Sequence, residues 1–249
     1  DGGDLGRDRK GFFGMFSELK GFLLGLYSDD ELDEMKFPRF RCGMEEIQEL
    51  EHLYWRHERS FSDADAAHFA WVLDYLDLAY DAAFRGSEVL YSSALSDTRK
   101  LVAPWRRKHV PVCLWDCKVR GEYIVVSFRH MKNKSSYKKN WVTVTSQREI
   151  SRILVRHGCN SLREFHRLCS SQSRRKPVPL LFSPDDSSRF VPMEKARKWL
   201  KAFLERVTPE SSPLRKINLH SPRAGFATNM AKKGVCMRTI MYHGKSQSE

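Results

Sequence analysis

His220 and Arg223 stand three residues apart in the run His220-Ser221-Pro222-Arg223-Ala224-Gly225-Phe226-Ala227-Thr228. An imidazole exchanges a proton near neutral pH, and a guanidinium offers several fixed donors to phosphate oxygens. The local sequence puts both at the start of a helix. Ser221 is a good N-cap, Pro222 suits the first helical position because its missing N–H is not needed there, and Arg223 falls in the first turn. Phe226, Ala227, Met230 and Ala231 continue at helical spacing, and Gly234 supplies a C-terminal stop. A helix N-terminus carries unpaired backbone N–H groups and the positive end of the helix dipole, so cations placed there fit a bound phosphate. An H-x-x-R pair alone is common on protein surfaces, and its weight comes from partners elsewhere in the chain.

A second cation stands at a helix joint. From Ser62, an N-cap, the residues Phe69, Val72, Leu73, Leu76, Ala79, Tyr80 and Ala83 form one long apolar stripe that predicts a core helix. It runs into Phe84-Arg85-Gly86-Ser87-Glu88-Val89-Leu90. Gly86 lets the backbone break, Ser87 is placed to cap a new helix, and Glu88 falls in its first turn. Arg85 therefore sits beside another helix N-terminus.

Lysines supply the third feature. Tyr123-Ile124-Val125-Val126-Ser127-Phe128 and Trp141-Val142-Thr143-Val144-Thr145 are β-branched and aromatic runs, and they pair as an antiparallel hairpin. The loop between them, residues 130–139, carries Lys132, Lys134, Lys138 and Lys139. A tip of this kind either solubilises the hairpin or reaches into a groove of DNA. Another basic cluster, Arg106-Arg107-Lys108-His109, adjoins Trp105.

The elements that must position these residues are mostly helical. Residues 1–10 are rich in Gly and charge, residues 12–26 repeat apolar side chains at three- and four-residue steps, and residues 28–34 form an acidic linker. Amphipathic helices follow at 43–55, with Ile47, Leu50, Leu53 and Tyr54, and at 192–207, with Ala196, Trp199, Leu200, Phe203 and Leu204 inward. Shorter helices are expected at 150–155 and 161–169, a loop at 170–179, a short buried strand or turn at 180–182, and a link at 208–213. The fold expected is mainly α with a small antiparallel β-hairpin or sheet.

The 249 residues can bury a sizeable core, as one large domain or two smaller ones. Lys and Arg outnumber Asp and Glu by 43 to 31, and the net charge of +12 favours a polyanionic partner. None of the six cysteines forms a C-x-x-C pair. Cys113-x3-Cys117 with His157 and Cys159 can be drawn as a site, but reduced thiols without a metal are the expectation, in a reducing compartment. The most apolar stretch, residues 11–27, carries Glu18 and Lys20 and is too short and too charged for a membrane span, and no signal-peptide cleavage site follows it.

The order of these features resembles the catalytic domain of the tyrosine recombinases, the phage-integrase family. Phe84-Arg85-Gly86-Ser87-Glu88-Val89-Leu90 looks like the family's first-arginine box, and His220-Ser221-Pro222-Arg223-Ala224-Gly225-Phe226-Ala227-Thr228 looks like its second. Within the family, His-Ser-x-Arg-Ala-Gly followed by His-Gly-Arg-Trp is similar to integrases of DIRS-type and Crypton-type mobile elements, and here the second run is His243-Gly244-Lys245-Ser246. The resemblance covers about residues 43–249. It implies a catalytic domain over 41–249 and, over 1–40, an N-terminal helix and acidic linker left from a core-binding domain.

Transesterification of a DNA phosphodiester needs cations on the non-bridging oxygens, a proton donor for the departing 5′-oxygen, and a nucleophile. The resemblance implies that Arg85 and Arg223 clamp the phosphate, that Lys132 (or, second, Lys134) is the general acid, and that His220 assists proton transfer. His243 is catalytic if a shifted turn brings it to the second ligand position of that region; otherwise the position falls on Ser246. Lys134, Lys138, Lys139, Arg106, Arg107, Lys245 and Ser246 are expected DNA contacts. The scheme requires no metal or other cofactor. Its partners are double-stranded DNA and further copies of the chain on that DNA, with a nuclear location in a eukaryote and a cytoplasmic one otherwise. The family's nucleophilic tyrosine lies downstream of this region, and Tyr242 is upstream of the expected place. The expectation is therefore a recombinase domain without its nucleophile, which forms no covalent DNA complex on its own, or a DNA-binding module that cuts nothing. An RNA-binding or scaffold role is a third reading, for which an aromatic RNA-recognition signature is lacking.

Overall fold

The computed structural model describes residues 40–84, 86–91, 111–128, 140–144, 147–172, 178–236 and 239–240, with the backbone alone at 87, 128 and 140–144. Helix α1 spans Met44–His57. Its first turn holds Glu45 and Glu46, its last holds Arg56 and His57, and the Glu46 carboxylate accepts the Gly43 N–H at 2.7 Å. These charges complement the helix dipole, and Ile47, Leu50 and Tyr54 are its buried face.

Helix α2, Asp63–Asp81, starts where the Ser62 hydroxyl accepts the Asp65 N–H at 3.1 Å. The sequence pattern predicts one apolar stripe, but from Phe69 on the structure buries the helix almost all round: Trp71, Tyr75, Asp77 and Leu78 are as enclosed as Phe69, Leu76 and Ala79. The remaining helices account for this. Helix α4 (Gln147–Arg156), α6 (Met193–Val207) and α7 (Ser221–Lys232) all pack on α2, as does α1.

The break after α2 falls at Ala83, with φ 48°, and not at Gly86. The Ala83 N–H bonds the Tyr80 carbonyl and the Phe84 N–H bonds the Ala79 carbonyl, which is the Schellman pattern with alanine in the left-handed position. Gly86 opens the short helix α3, Gly86–Val89, so Ser87 lies inside that helix. A left-handed alanine costs about 1 kcal/mol, and carbonyl satisfaction at the helix end offsets it.

Strands β1 (Cys117–Arg120), β2 (Tyr123–Phe128) and β3 (Asn140–Val144) form one antiparallel sheet in that order. The β2–β3 hairpin runs from Ile124 opposite Val144 to Phe128 opposite Asn140, as the sequence predicts. β1 is an addition. Arg120 pairs with Tyr123, leaving Gly121-Glu122 as a two-residue turn in which Gly121 has φ +58°. Helix α5 (Leu162–Ser170) is capped by Ser161, and β4 (Phe182–Ser183) pairs with β5 (Asp186–Phe190). Together these elements make a mainly helical α+β fold with two small antiparallel sheets. No helix among the described residues is long and apolar enough to cross a membrane. The expected helix at 12–26, the acidic linker and the cluster around Trp105 lie outside the described residues.

An ion-pair network fastens α4 to α1 and α2. Arg152 bonds Glu51 at 2.6 Å and Asp74 at 2.9 Å, Arg148 pairs with Glu51, and Arg156 pairs with Asp74. At its centre the fully enclosed Asp77 carboxylate lies 2.9 Å from Arg152 Nε and 3.2 Å from Arg148 Nε, as ionic contacts and not aligned hydrogen bonds. Burial raises Asp77 from its ordinary 3.8 to about 6 against the pull of the two guanidiniums. Its folded pKa lies above the unfolded one, so its contribution to stability is full below pH 4 and is lost as pH rises through about 6. Removing one cation leaves a buried carboxylate under-compensated, and Arg152→Met is expected to cost about 3 kcal/mol at pH 7.5. Urea unfolding should show a smaller cost at pH 5, where Asp77 can take up a proton.

Candidate functional site

Helix α7 is built to start at a fixed place. His220, with φ −100° and ψ −14°, is the N-cap, so Ser221 occupies the first helical position and Pro222 the second. This shifts the sequence assignment by one residue. The reason is that the Ser221 hydroxyl is engaged outside the helix, accepting the Asn218 N–H at 3.0 Å, while Asn218 Oδ1 accepts the His220 N–H at 2.9 Å. These local bonds hold the turn before the helix and set the backbone from which the exposed His220 ring projects. At the far end Gly234, with φ +73°, closes α7 through Gly234 N–H to Ala231 and Val235 N–H to Met230, as its sequence position predicts.

Gly225 lets another segment approach. The Cys42 N–H donates to the Ser221 carbonyl at 3.1 Å, and a Cβ on Gly225 would stand 2.1 Å from the Cys42 oxygen and 2.8 Å from the Gly43 nitrogen. Only a residue without a side chain fits there. The segment before α1 thus lies directly against the first turns of α7.

Arg223 is half-buried and donates from Nη1 to the Ala83 carbonyl at 3.1 Å, across 140 residues of sequence. The left-handed turn at Ala83 presents this carbonyl to α7. Two further contacts seat α7 on α2: Asn229 donates to the Tyr80 hydroxyl at 2.7 Å, and the Tyr80 and Phe226 rings meet edge-on at 6.2 Å. The Arg223 guanidinium is therefore tied to the chain two residues before Arg85. A guanidinium has five N–H donors in a rigid fork, and committing one to a carbonyl fixes the plane of the rest.

Of the other expected site residues, Arg85, Lys132, Lys134, Lys138, Lys139, Arg106, Arg107, His243, Lys245 and Ser246 lie outside the described residues. Strands β2 and β3 carry the chain as far as Phe128 and Asn140 on either side of the lysine-rich segment.

The drawn cysteine–histidine set does not come together as ligands. The Cys113 thiol donates to the Pro111 carbonyl at 3.2 Å, the Cys117 thiol faces the Cys113 carbonyl, and His157 Nε2 bonds the Leu180 carbonyl at 3.0 Å. Burial pushes the Cys169 thiol up to about 12 and raises Cys117 as well, and it lowers His157 to about 4. These groups are neutral components of the core. Among the described residues no three His, Cys, Asp or Glu side chains are arranged to hold a metal ion.

Gly225 and Ala83 carry geometry that the sequence reading did not assign to them. Gly225 had a signal, a glycine inside a helix, whereas an alanine gives none for the left-handed position. A comparison with protein-family models finds no match to this chain, and a comparison with curated proteins finds none.

Gly225→Ala forces a methyl into the Cys42 backbone, which is not the movable end of a side chain. The expected loss is roughly 2–3 kcal/mol, read as a fall in Tm of roughly 5–10 °C by scanning fluorimetry.

Proposed function

We propose that this chain is a DNA-binding domain of the tyrosine-recombinase type, whose phosphate site is formed by the start of α7 and the turn after α2. The observation that carries the reading is the Arg223–Ala83 hydrogen bond, because it ties the second arginine box to the residue just before the first, 140 residues away in sequence. In this reading Arg223 and Arg85 hold the non-bridging oxygens of one phosphate, and the imidazole of His220 moves a proton beside them. The helix dipole adds to the field of the two cations. Lys132, or Lys134 beside it, enters from the β2–β3 connection as the proton donor to the departing oxygen. Duplex DNA is the polyanion, and the +12 charge attracts it through phosphates more than through base edges.

Two measurements test this. Duplex binding is expected to weaken steeply with salt, and Lys132→Ala or Lys138→Ala to lower the slope of log K against log salt by about one unit each. A nicked suicide duplex, whose short flank diffuses away after cleavage, traps any covalent adduct. In a form of the protein that gives an adduct, Arg223→Ala is expected to lower its formation about 100-fold or more. Salt-independent binding, together with no adduct, overturns the proposal. Salt-dependent binding without an adduct retains the DNA-binding part and removes strand cleavage.

A further inference from the structure

Tyr75 is fully buried on α2, and its hydroxyl donates to the Leu219 carbonyl at 2.7 Å across 144 residues. Leu219 immediately precedes His220. The same oxygen faces the start of α3: a Cβ built on Gly86 would lie 3.5 Å from it. Gly86 immediately follows Arg85. One hydroxyl thus stands between a backbone position within the first box and the one just before the second. Its ring is held in place by stacking on Trp71, with centroids 5.8 Å apart and planes 12° from parallel. Burial first, and the charge of Glu88 second, push the phenol above its ordinary pKa, so the group stays a donor.

We propose that Tyr75 is a positioning residue for the phosphate site, fixing the Leu219 carbonyl and through it the direction in which the His220 imidazole leaves the start of α7. Two bonds then hold the peptide between Leu219 and His220 within the turn before α7. Asn218 Oδ1 holds the His220 N–H from one side, and Tyr75 holds the Leu219 carbonyl from the other. Without the phenol the peptide between Leu219 and His220 can rotate, because its buried oxygen has lost its donor and turns to find another. The contacts stand on their own, while their consequence for strand cleavage rests on the proposed function.

Tyr75→Phe keeps the ring and its stacking and removes only the hydroxyl. In the free 249-residue chain with ¹³C-labelled histidine, the His220 ring resonance is expected to move, with the exposed His52 and His166 as unmoved references. The variant should keep its duplex affinity while, in a form of the protein that cleaves DNA, single-turnover cleavage slows roughly 10- to 100-fold, the size of effect expected of a misplaced catalytic group. Replacing Tyr75 by 4-aminophenylalanine, which restores a donor, should return both readouts toward wild type. An unmoved His220 resonance in Tyr75→Phe overturns the proposal whatever cleavage does. A moved resonance in a protein that never cleaves DNA upholds the positioning and removes the recombinase reading. Should Tyr75→Phe not fold, 4-fluorophenylalanine at position 75 fills the volume of the phenol without donating, and an unmoved His220 resonance there overturns the proposal equally.

Discussion

Burial of α2 on nearly every side is the constraint on which the rest depends. A helix that faces water disposes of its polar side chains there, whereas an enclosed one must find each a partner in a neighbouring element. Asp74 and Asp77 find theirs in the arginines of α4, the Tyr75 phenol in the backbone before α7, and the Tyr80 phenol in Asn229. Satisfying these groups fixes where α4 and α7 sit. The candidate site inherits its geometry from this, since the helix that carries Arg223 is docked by the polar groups of α2 as well as by apolar contact.

The carbonyl at the end of α2 completes the arrangement. A Schellman turn satisfies the last carbonyls of the helix but leaves the chain after it pointing back along a new path. Ala83 is the residue that turns, and Arg223 takes up its carbonyl. One cation of the site thus has a structural bond as well as a place beside the first box. A charged donor to a buried carbonyl is also stronger than a neutral one, so orientation and stability are coupled there.

The elements with a clean period or cap were legible in the sequence. α1 and α6 show three- and four-residue apolar spacing, and Ser62, Ser161 and Gly234 end or begin helices where local chemistry says they should. β1 was missed because four residues with two basic side chains carry a weak alternation, although the Gly121-Glu122 turn was a usable signal. The break at Ala83 was misplaced onto Gly86 because a glycine is the ordinary choice and alanine is not. The ion-pair network could not be read at all: Arg152 meets Asp74 and Glu51 from 78 and 101 residues away. For the candidate site, the start of α7 was legible to within one residue as a local pattern, but the bond from Arg223 to Ala83 is tertiary and leaves no trace in either run.

The contact at Gly225 moves the edge of the folding unit. Judged by secondary structure alone, the unit begins with the first residue of α1, and what lies before it is a leader. Cys42 and Gly43 are instead a wall of the α7 start, pressed on Gly225 and bonded to the Ser221 carbonyl. A version trimmed to Met44 would retain every described helix and lose the surface against which the arginine-bearing one is seated. Among the described residues the packed unit thus reaches back at least to Cys42, through a backbone contact with no side chain in it, upstream of α1.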